Sequence, residues 1–405
     1  MSLDRSSIKV LVLDDEPFML KLLAHLLGEL GFTRVATSDN GVDALSRAEA
    51  GNDAPDLILM DLNMPGMDGV EFVRKLVEQG FRGDLILVSG EDDRMMHMAE
   101  KLIRAHRVNL IGHLSKPFSL AGLSTLLDKS RAGEGKQKPA RKIYDPERLR
   151  AAILDGELLN YYQPKVAVAT GAVLGVETLV RWMHPQDGLV SPDQFIGVAE
   201  EHGLIDALTR AVLRAALAQS ASWRQAGLPL RVAVNISMDN LTSVEFVDYI
   251  THESEAAGVS PADLILEVTE SRLMLDQRAP LEILARLRMK RYGLSIDDFG
   301  TGHSSLKLLR DIPFDELKID GSFVHDAWHD PTARAIYDAS LALGQQLGMV
   351  VCAEGVEDGD DWDLVKRSGC DKAQGYFIGR PMPASEFPTW LESWQARLRR
   401  WAEAS

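Results

Sequence analysis

The sequence predicts two α/β domains in series: an open, doubly wound parallel sheet, then a larger eightfold barrel. Three observations carry this. Short apolar runs alternate with amphipathic stretches through residues 8–130. The pattern lapses in the polar, basic stretch Ser130–Lys142. From Ile143 to about Trp401 the alternation resumes over a length typical of one barrel. A chain of 405 residues also exceeds what one hydrophobic core usually organises. The expected division is residues 1–130, a linker at 131–142, and 143–405.

In the first domain the elements run as strand Ile8–Leu13, helix Phe18–Leu30, strand Leu57–Met60, helix Val70–Gln79, strand Leu85–Val88, a helical stretch around Met95–Arg107, and helix Leu120–Leu127. In the second, apolar runs separated by helix-forming stretches end in polar residues of ligand type. Val173–Val176 leads to Glu177, Val232–Val234 to Asn235, Leu264–Leu266 to Glu267, and Leu294–Ile296 to Asp297 and Asp298. Phe314–Leu317 leads to Lys318, Met349–Ala353 to Glu354, and Asp371–Ala373 to Gln374.

Composition narrows the classes of function. With 45% hydrophobic and 26% charged residues the chain is an ordinary globular one. No apolar run approaches bilayer length and the start is polar, so we expect a cytoplasmic protein without membrane insertion. Two cysteines, Cys352 and Cys370, are too few for a disulfide framework or a thiolate metal cage, and both are expected to be buried thiols. A formal charge of −16 argues against DNA or an anionic membrane as partner. It leaves phosphate-bearing substrates open, because carboxylates that hold divalent cations attract phosphoryl oxygens.

The first domain gathers polar residues at its strand ends. Asp14 and Asp15 follow one strand, Asp61 another, Ser89 a third, and Lys116 follows His113-Leu114-Ser115. The carboxyl ends of strands are where open α/β sheets bind ligands. Paired acids hold Mg²⁺ through oxygen, and a neighbouring Asp can attack a phosphoryl donor. Each acid alone is as well explained as a helix cap; the set is not. With Asp61-Leu62-Asn63-Met64-Pro65-Gly66-Met67-Asp68-Gly69 and Lys116-Pro117, the whole segment resembles the flavodoxin-like receiver domain of bacterial response regulators. The resemblance implies Asp61 as phosphoacceptor, one Mg²⁺ or Mn²⁺ held by Asp14, Asp15, Asp61 and the Asn63 carbonyl, and Ser89 and Lys116 on the phosphoryl group. It also implies a sensor histidine kinase as phosphodonor. His113 stands where the family usually has an aromatic residue, and the stretch from Ser89 to Lys116 looks long.

In the second domain the strand ends converge on one cavity by the grammar of a barrel. Carboxylates and an amide without a His or Cys cluster suit Mg²⁺ or Mn²⁺ rather than zinc. Paired ions bridged by Asp297 would generate hydroxide and neutralise charge on an attacked phosphorus, so the ring reads as a phosphodiester-hydrolysing site. Lys318 among acids would keep a high pKa unless metals offset them, which leaves it as base, water-orienting group or phosphate ligand. Cys352 shares the parity of Glu354, with core filling as its expected job.

Glu177-Thr178-Leu179-Val180-Arg181, Asn235-Ile236-Ser237, Glu267-Val268-Thr269-Glu270, Asp297-Asp298-Phe299-Gly300-Thr301-Gly302, Leu317-Lys318-Ile319-Asp320, Ala353-Glu354-Gly355-Val356-Glu357 and Gln374-Gly375-Tyr376 together resemble the EAL family of cyclic-di-GMP phosphodiesterases. The resemblance implies a modified TIM-type (β/α)8 barrel with two Mg²⁺ or Mn²⁺. Glu177, Asn235, Glu267 and Asp297 would hold one, and Asp297, Asp298 and Glu354 the other, with Lys318, Glu177 and Glu354 catalytic and Lys318 acting on the attacking water. It implies substrate contacts from Gln163, Arg181 and Gln374, a loop Phe299–Ser305 steadied by Glu270, and a homo-oligomer, dimer or larger. Two departures are Thr178 in place of Ala and His303 in place of a frequent Tyr. The expected function is hydrolysis of cyclic-di-GMP to linear pGpG, modulated by phosphorylation at Asp61. The alternative is a non-catalytic cyclic-di-GMP receptor, a class that typically loses ligands this chain retains.

Overall fold

A computed structural model describes residues 5–48, 54–81, 83–90, 96, 98–100, 102–103, 108–116, 118–133, 144–269, 278–301 and 309–404. The chain divides into two compact units, Met1–Ala140 and Arg141–Ser405.

The first unit is a parallel sheet of β1 (Lys9–Leu13), β2 (Arg34–Ser38), β3 (Leu57–Asp61), β4 (Asp84–Ser89) and β5 (Asn109–Ser115), in the order β2-β1-β3-β4-β5. Its central strands are continuous apolar runs because both faces are covered. Alternation sends Leu11, Leu13, Ile58, Met60, Leu85 and Leu87 to one core, shared with helices Gly41–Ala48 and Gly69–Glu78. Val10, Val12, Leu57, Leu59, Ile86 and Val88 face the other, with helices Pro17–Glu29 and Leu120–Gly133. The last helix runs to Gly133, past the expected edge of the linker at 131. Ser130, Arg131 and Ala132 are tolerated in a helix even though they carry no apolar periodicity.

The second unit closes a ring of eight strands: β6 (Leu158–Ala167), β7 (Val173–His184), β9 (Arg231–Ile236), β10 (Leu264–Thr269), β11 (Gly293–Phe299), β12 (Glu316–Ile319), β13 (Val350–Ala353) and β14 (Lys372–Ala373). β8 (Gly188–Val190) pairs with β7 and β15 (Met382–Pro383) with β6, outside the ring. β6 is antiparallel to both ring neighbours, β7 and β14, while the other ring pairs are parallel. The carboxyl ends of seven strands therefore open at one mouth, while β6 crosses it in the opposite sense. Helices such as Ile205–Gln225 bury Leu208, Val212, Leu213, Ala216 and Leu217 against the barrel.

Candidate active site

The barrel strands place Glu177, Glu267, Asp297 and Glu354 around a single ammonium. Lys318 Nζ lies 3.4 Å from Glu177, 3.0 Å from Glu267, 2.9 Å from Asp297 and 2.8 Å from Glu354. Glu267, Asp297 and Lys318 lie near the carboxyl ends of β10, β11 and β12 and Glu354 follows β13, whereas Glu177 lies within β7, which continues beyond it to His184. Asn235 on β9 joins through Nδ2, which donates to Glu177 Oε1 at 2.9 Å.

Consecutive residues of a strand normally face opposite ways, so Asp297 and Asp298 need a device to share one site. The register between β11 and β12 shifts between Ile296 and Phe299, and Asp298 takes a left-handed conformation with φ 55°. Such backbone is costly for most L-residues and tolerated best, after glycine, by Asn and Asp. Thr301 holds it, its N–H and hydroxyl both donating to the Asp298 carbonyl at 3.2 and 2.8 Å. Opposite, the Glu354 and Gln374 loops touch so closely that a Cβ on Gly375 would sit 2.1 Å from the Val356 carbonyl oxygen.

The electrostatics describe a site with more anions than it can balance. Burial, with help from Asp297, pushes Asp298 up to about 6. Burial likewise pushes Glu267 up to about 7 although Lys165 and Lys318 pull it down. Glu354, also penalised by burial and crowded by Asp297 and Glu177, rises well above the carboxylate range despite Lys318. Glu177 goes the other way: burial opposes its charge, but Lys318 and Lys165 bring it to about 2. For Lys318, burial is outweighed by Asp297, Glu177, Glu267 and Glu354, so it holds its proton far above the usual lysine range. Two carboxylate triads have ligand atoms within 4.8 Å of one another, Glu177–Glu267–Asp297 and Asp297–Asp298–Glu354. All-oxygen donors with unbalanced negative charge fit hard divalent cations.

Gln374 Nε2 donates to Gln163 Oε1 at 2.9 Å and to Glu177 Oε2 at 2.7 Å, and Gln163 Nε2 donates to the Gly379 carbonyl at 3.0 Å. The Gln374 Oε1 acceptor is buried without a protein partner. Arg181 lies farther along β7, its guanidinium 5.6 Å from the Tyr161 ring centroid. Two cavities flank the ring. One of 370 Å³ is lined by Leu179, Pro192, Ile196, Asn235 and Thr269. The other, of 270 Å³, is lined by Gln163, Glu177, Glu354, Gln374 and Tyr376. Glu270, His303 and the loop from residue 302 to 305 lie outside the described residues.

Beneath the ring lies a layer that strand-end reasoning missed. Lys165, Glu316 and Lys372 are buried and paired, Lys165 with Glu267 and Glu316, and Lys372 with Glu316. Period 2 was the available signal: each stands two positions from a named residue, Gln163, Lys318 or Gln374. Cys352, two before Glu354, is buried in the same layer, and burial pushes its thiol well above the ordinary range. Cys370 is buried too, and both thiols are free.

In the first unit, Asp14, Asp15 and Asp61 bring carboxylate oxygens within 4.8 Å of one another. Lys116 Nζ bridges Asp14 at 2.8 Å and Asp61 at 2.7 Å. Burial works against the charge of Lys116, but hydrogen bonds to Asp14 and Asp61 raise it overall. The Asn63 N–H donates to Asp61 Oδ1 at 3.2 Å, and Ser89, buried at the end of β4, accepts at its carbonyl from the Lys116 N–H at 2.8 Å. His113 Nδ1 lies 2.7 Å from Glu100. Pro117 is outside the described residues.

An open parallel sheet with an acid pocket, followed by a barrel with a carboxylate ring, defines a response regulator with a barrel output domain. The first unit matches the response regulator receiver domain over residues 10–128 and the second the EAL domain over residues 146–381. The chain belongs to the EAL domain family and carries a receiver domain ahead of it. It is 33% identical over 387 residues to the cyclic di-GMP phosphodiesterase RocR of Pseudomonas aeruginosa, across 94% of this chain and 98% of that protein. It is 43% identical over 239 residues to the bifunctional diguanylate cyclase/cyclic di-GMP phosphodiesterase MucR of the same organism, across 59% of this chain and 35% of that protein. The solved PaMucR phosphodiesterase–c-di-GMP complex superimposes with a TM-score of 0.57 at 42% identity, covering 60% of this chain and 98% of that one. Among the described residues no helix is long and apolar enough to cross a membrane.

Proposed function

We propose that this chain hydrolyses cyclic-di-GMP to linear pGpG, and that phosphorylation of Asp61 by a sensor histidine kinase modulates the rate. The observation that carries this reading is the convergence of Glu177, Asn235, Glu267, Asp297, Asp298, Lys318 and Glu354 at one barrel mouth. Its support is the likeness to RocR over nearly all of both chains.

Glu177, Asn235, Glu267 and Asp297 would hold one Mg²⁺ or Mn²⁺, and Asp297, Asp298 and Glu354 a second. Bound there, the ions supply an acidified water and neutralise charge developing on phosphorus. In the reaction, water oxygen bonds to phosphorus, one ring P–O bond breaks, and the departing oxygen takes a proton. Lys318 holds its proton in the field of four carboxylates. It therefore orients water or the phosphate as an ammonium, and accepts a proton from water only once that field is neutralised. Gln374, with its unpartnered acceptor, Gln163 and Arg181 contact the substrate. The two cavities beside the ring suit a ligand with a base on either side of its phosphates.

The test is to incubate purified protein with cyclic-di-GMP and Mg²⁺ or Mn²⁺ and follow the linear product. Turnover in the parent that disappears in Glu177→Ala and Lys318→Ala is expected. Turnover surviving both changes would sink the mechanism, and tight binding without turnover in the parent would favour a receptor.

A further inference from the structure

The reaction above leaves Lys165, Glu316 and Lys372 without a role, and their burial is the least economical way to fill a barrel. Barrel interiors are ordinarily packed with branched apolar side chains. Replacing a buried ion pair by apolar groups of similar volume is often neutral or stabilising. Stability alone therefore does not explain three charged side chains beneath the ring, each at most 7% exposed.

Their geometry suggests orientation. Lys372 Nζ donates to Glu316 Oε2 at 2.5 Å; Glu316 Oε1 accepts from Ser295 Oγ at 3.3 Å and lies 3.4 Å from Lys165 Nζ. Lys165 Nζ then grips Glu267 Oε1, while Oε2 of the same carboxylate lies 3.0 Å from Lys318 in the ring. The two oxygens of Glu267 are thus divided between two layers. Lys318 is shared among four carboxylates, whereas the ion pairs of Lys165 among the described residues are with Glu267 and Glu316. The terminal torsion of a glutamate is broad and nearly two-fold. A group that fixes one oxygen therefore decides how the other is presented.

We propose that Lys165 is a positioning residue that holds Oε1 of Glu267 so that Oε2 faces the cation site, with Glu316 and Lys372 keeping Lys165 in place. Partners behind a ligand commonly govern metal affinity and activity in this way. The inference rests on the metal-assisted reading of the barrel.

The experiment measures Mn²⁺ binding by calorimetry and cyclic-di-GMP kinetics on the full chain, in the parent, Lys165→Met, Glu316→Gln and Lys165→Met/Glu316→Gln. The double variant removes one charge of each sign and guards against a fold lost through imbalance. The receiver pocket is untouched in all four and serves as an internal standard. We expect Lys165→Met to weaken Mn²⁺ binding at the barrel by roughly 10- to 100-fold and to lower kcat at saturating Mn²⁺ with little change in KM. The double variant should resemble it, and Glu316→Gln should fall between it and the parent. Parent-like Mn²⁺ affinity and kcat in a folded Lys165→Met protein would overturn the proposal. So would an effect confined to KM, or loss of the folded state in both Lys165 variants, which would make the network structural. A parent that neither binds Mn²⁺ at the barrel nor hydrolyses the dinucleotide would instead refute the reading beneath it.

Discussion

Lys116 in the receiver and Lys318 in the barrel are both strand-end lysines held by carboxylates, yet they sit in different electrostatic settings. Lys116 pairs with two acids and keeps 20% of its side chain exposed. Lys318 pairs with four and keeps 1%. The receiver pocket is open at the lysine, so the phosphoryl group proposed for Asp61 would exchange partners with it, and that added charge would be reversible. The barrel encloses its lysine in a surplus of buried acid that protons or further cations must balance. One pocket suits the proposed switch and the other the proposed cation-holding reaction site.

The most severe way to break this contrast is Asp297→Ala, which removes the carboxylate common to both barrel triads. Turnover should fall by roughly 10³-fold or more, since metal-held charge is worth several kcal/mol in the transition state. Receiver labelling by a small phosphodonor should persist in the same protein. A variant that retains most of the parent's turnover would show that the triads are not the reaction site.

Proton competition gives the next largest effect. Glu267 near 7 and Asp298 near 6 hold protons that a cation must displace. Mn²⁺ affinity at the barrel should rise by about 10-fold or more between about pH 5 and about pH 8, with proton release seen by calorimetry in buffers of different ionisation heat. The sign for metal-free stability is opposite. Acids with raised native pKa bind more protons folded than unfolded, so their contribution declines as pH rises from the ordinary carboxylate range through 7. Affinity independent of pH would remove the surplus-acid description.

Asp61→Asn sharpens the comparison from the receiver side. A phosphodonor should change the parent's hydrolysis rate within the usual range of allosteric coupling, about 5- to 150-fold, and leave the variant unaffected. Equal responses in both would sever the two domains functionally. The smallest effect is structural. Asp68 caps helix Gly69–Glu78, accepting from the Glu71 N–H at 2.8 Å. Asp68→Ala should destabilise the receiver by about 1 kcal/mol, read as an earlier receiver transition in calorimetry with the barrel transition unmoved.

Much of the barrel ring was legible because its ligands follow apolar strands directly, as with Glu267 after Leu264-Ile265-Leu266. Convergence then follows from parallel strands alone. The antiparallel entry of β6 was not legible from the strands, because it depends on pairings such as Lys372 with Ala167, far apart in sequence. The bulge that turns Asp298 into the site is likewise a tertiary compromise with β12. Lys165, Glu316 and Lys372 were overlooked for a different reason: a charged residue inside a strand resembles a solvent-facing one until closure of the ring decides which face is interior. The continuation of a helix to Gly133 was hidden by its lack of an apolar stripe.

The left-handed backbone at Asp298 also constrains how this chain can change over generations. Most replacements there would lose some stability to the left-handed backbone. Asparagine keeps the conformation and the shape while discarding the charge, and a single base change in an aspartate codon produces it. On the proposed two-cation reading, a descendant with that asparagine would bind its dinucleotide without cleaving it, one base change away and with the local backbone kept.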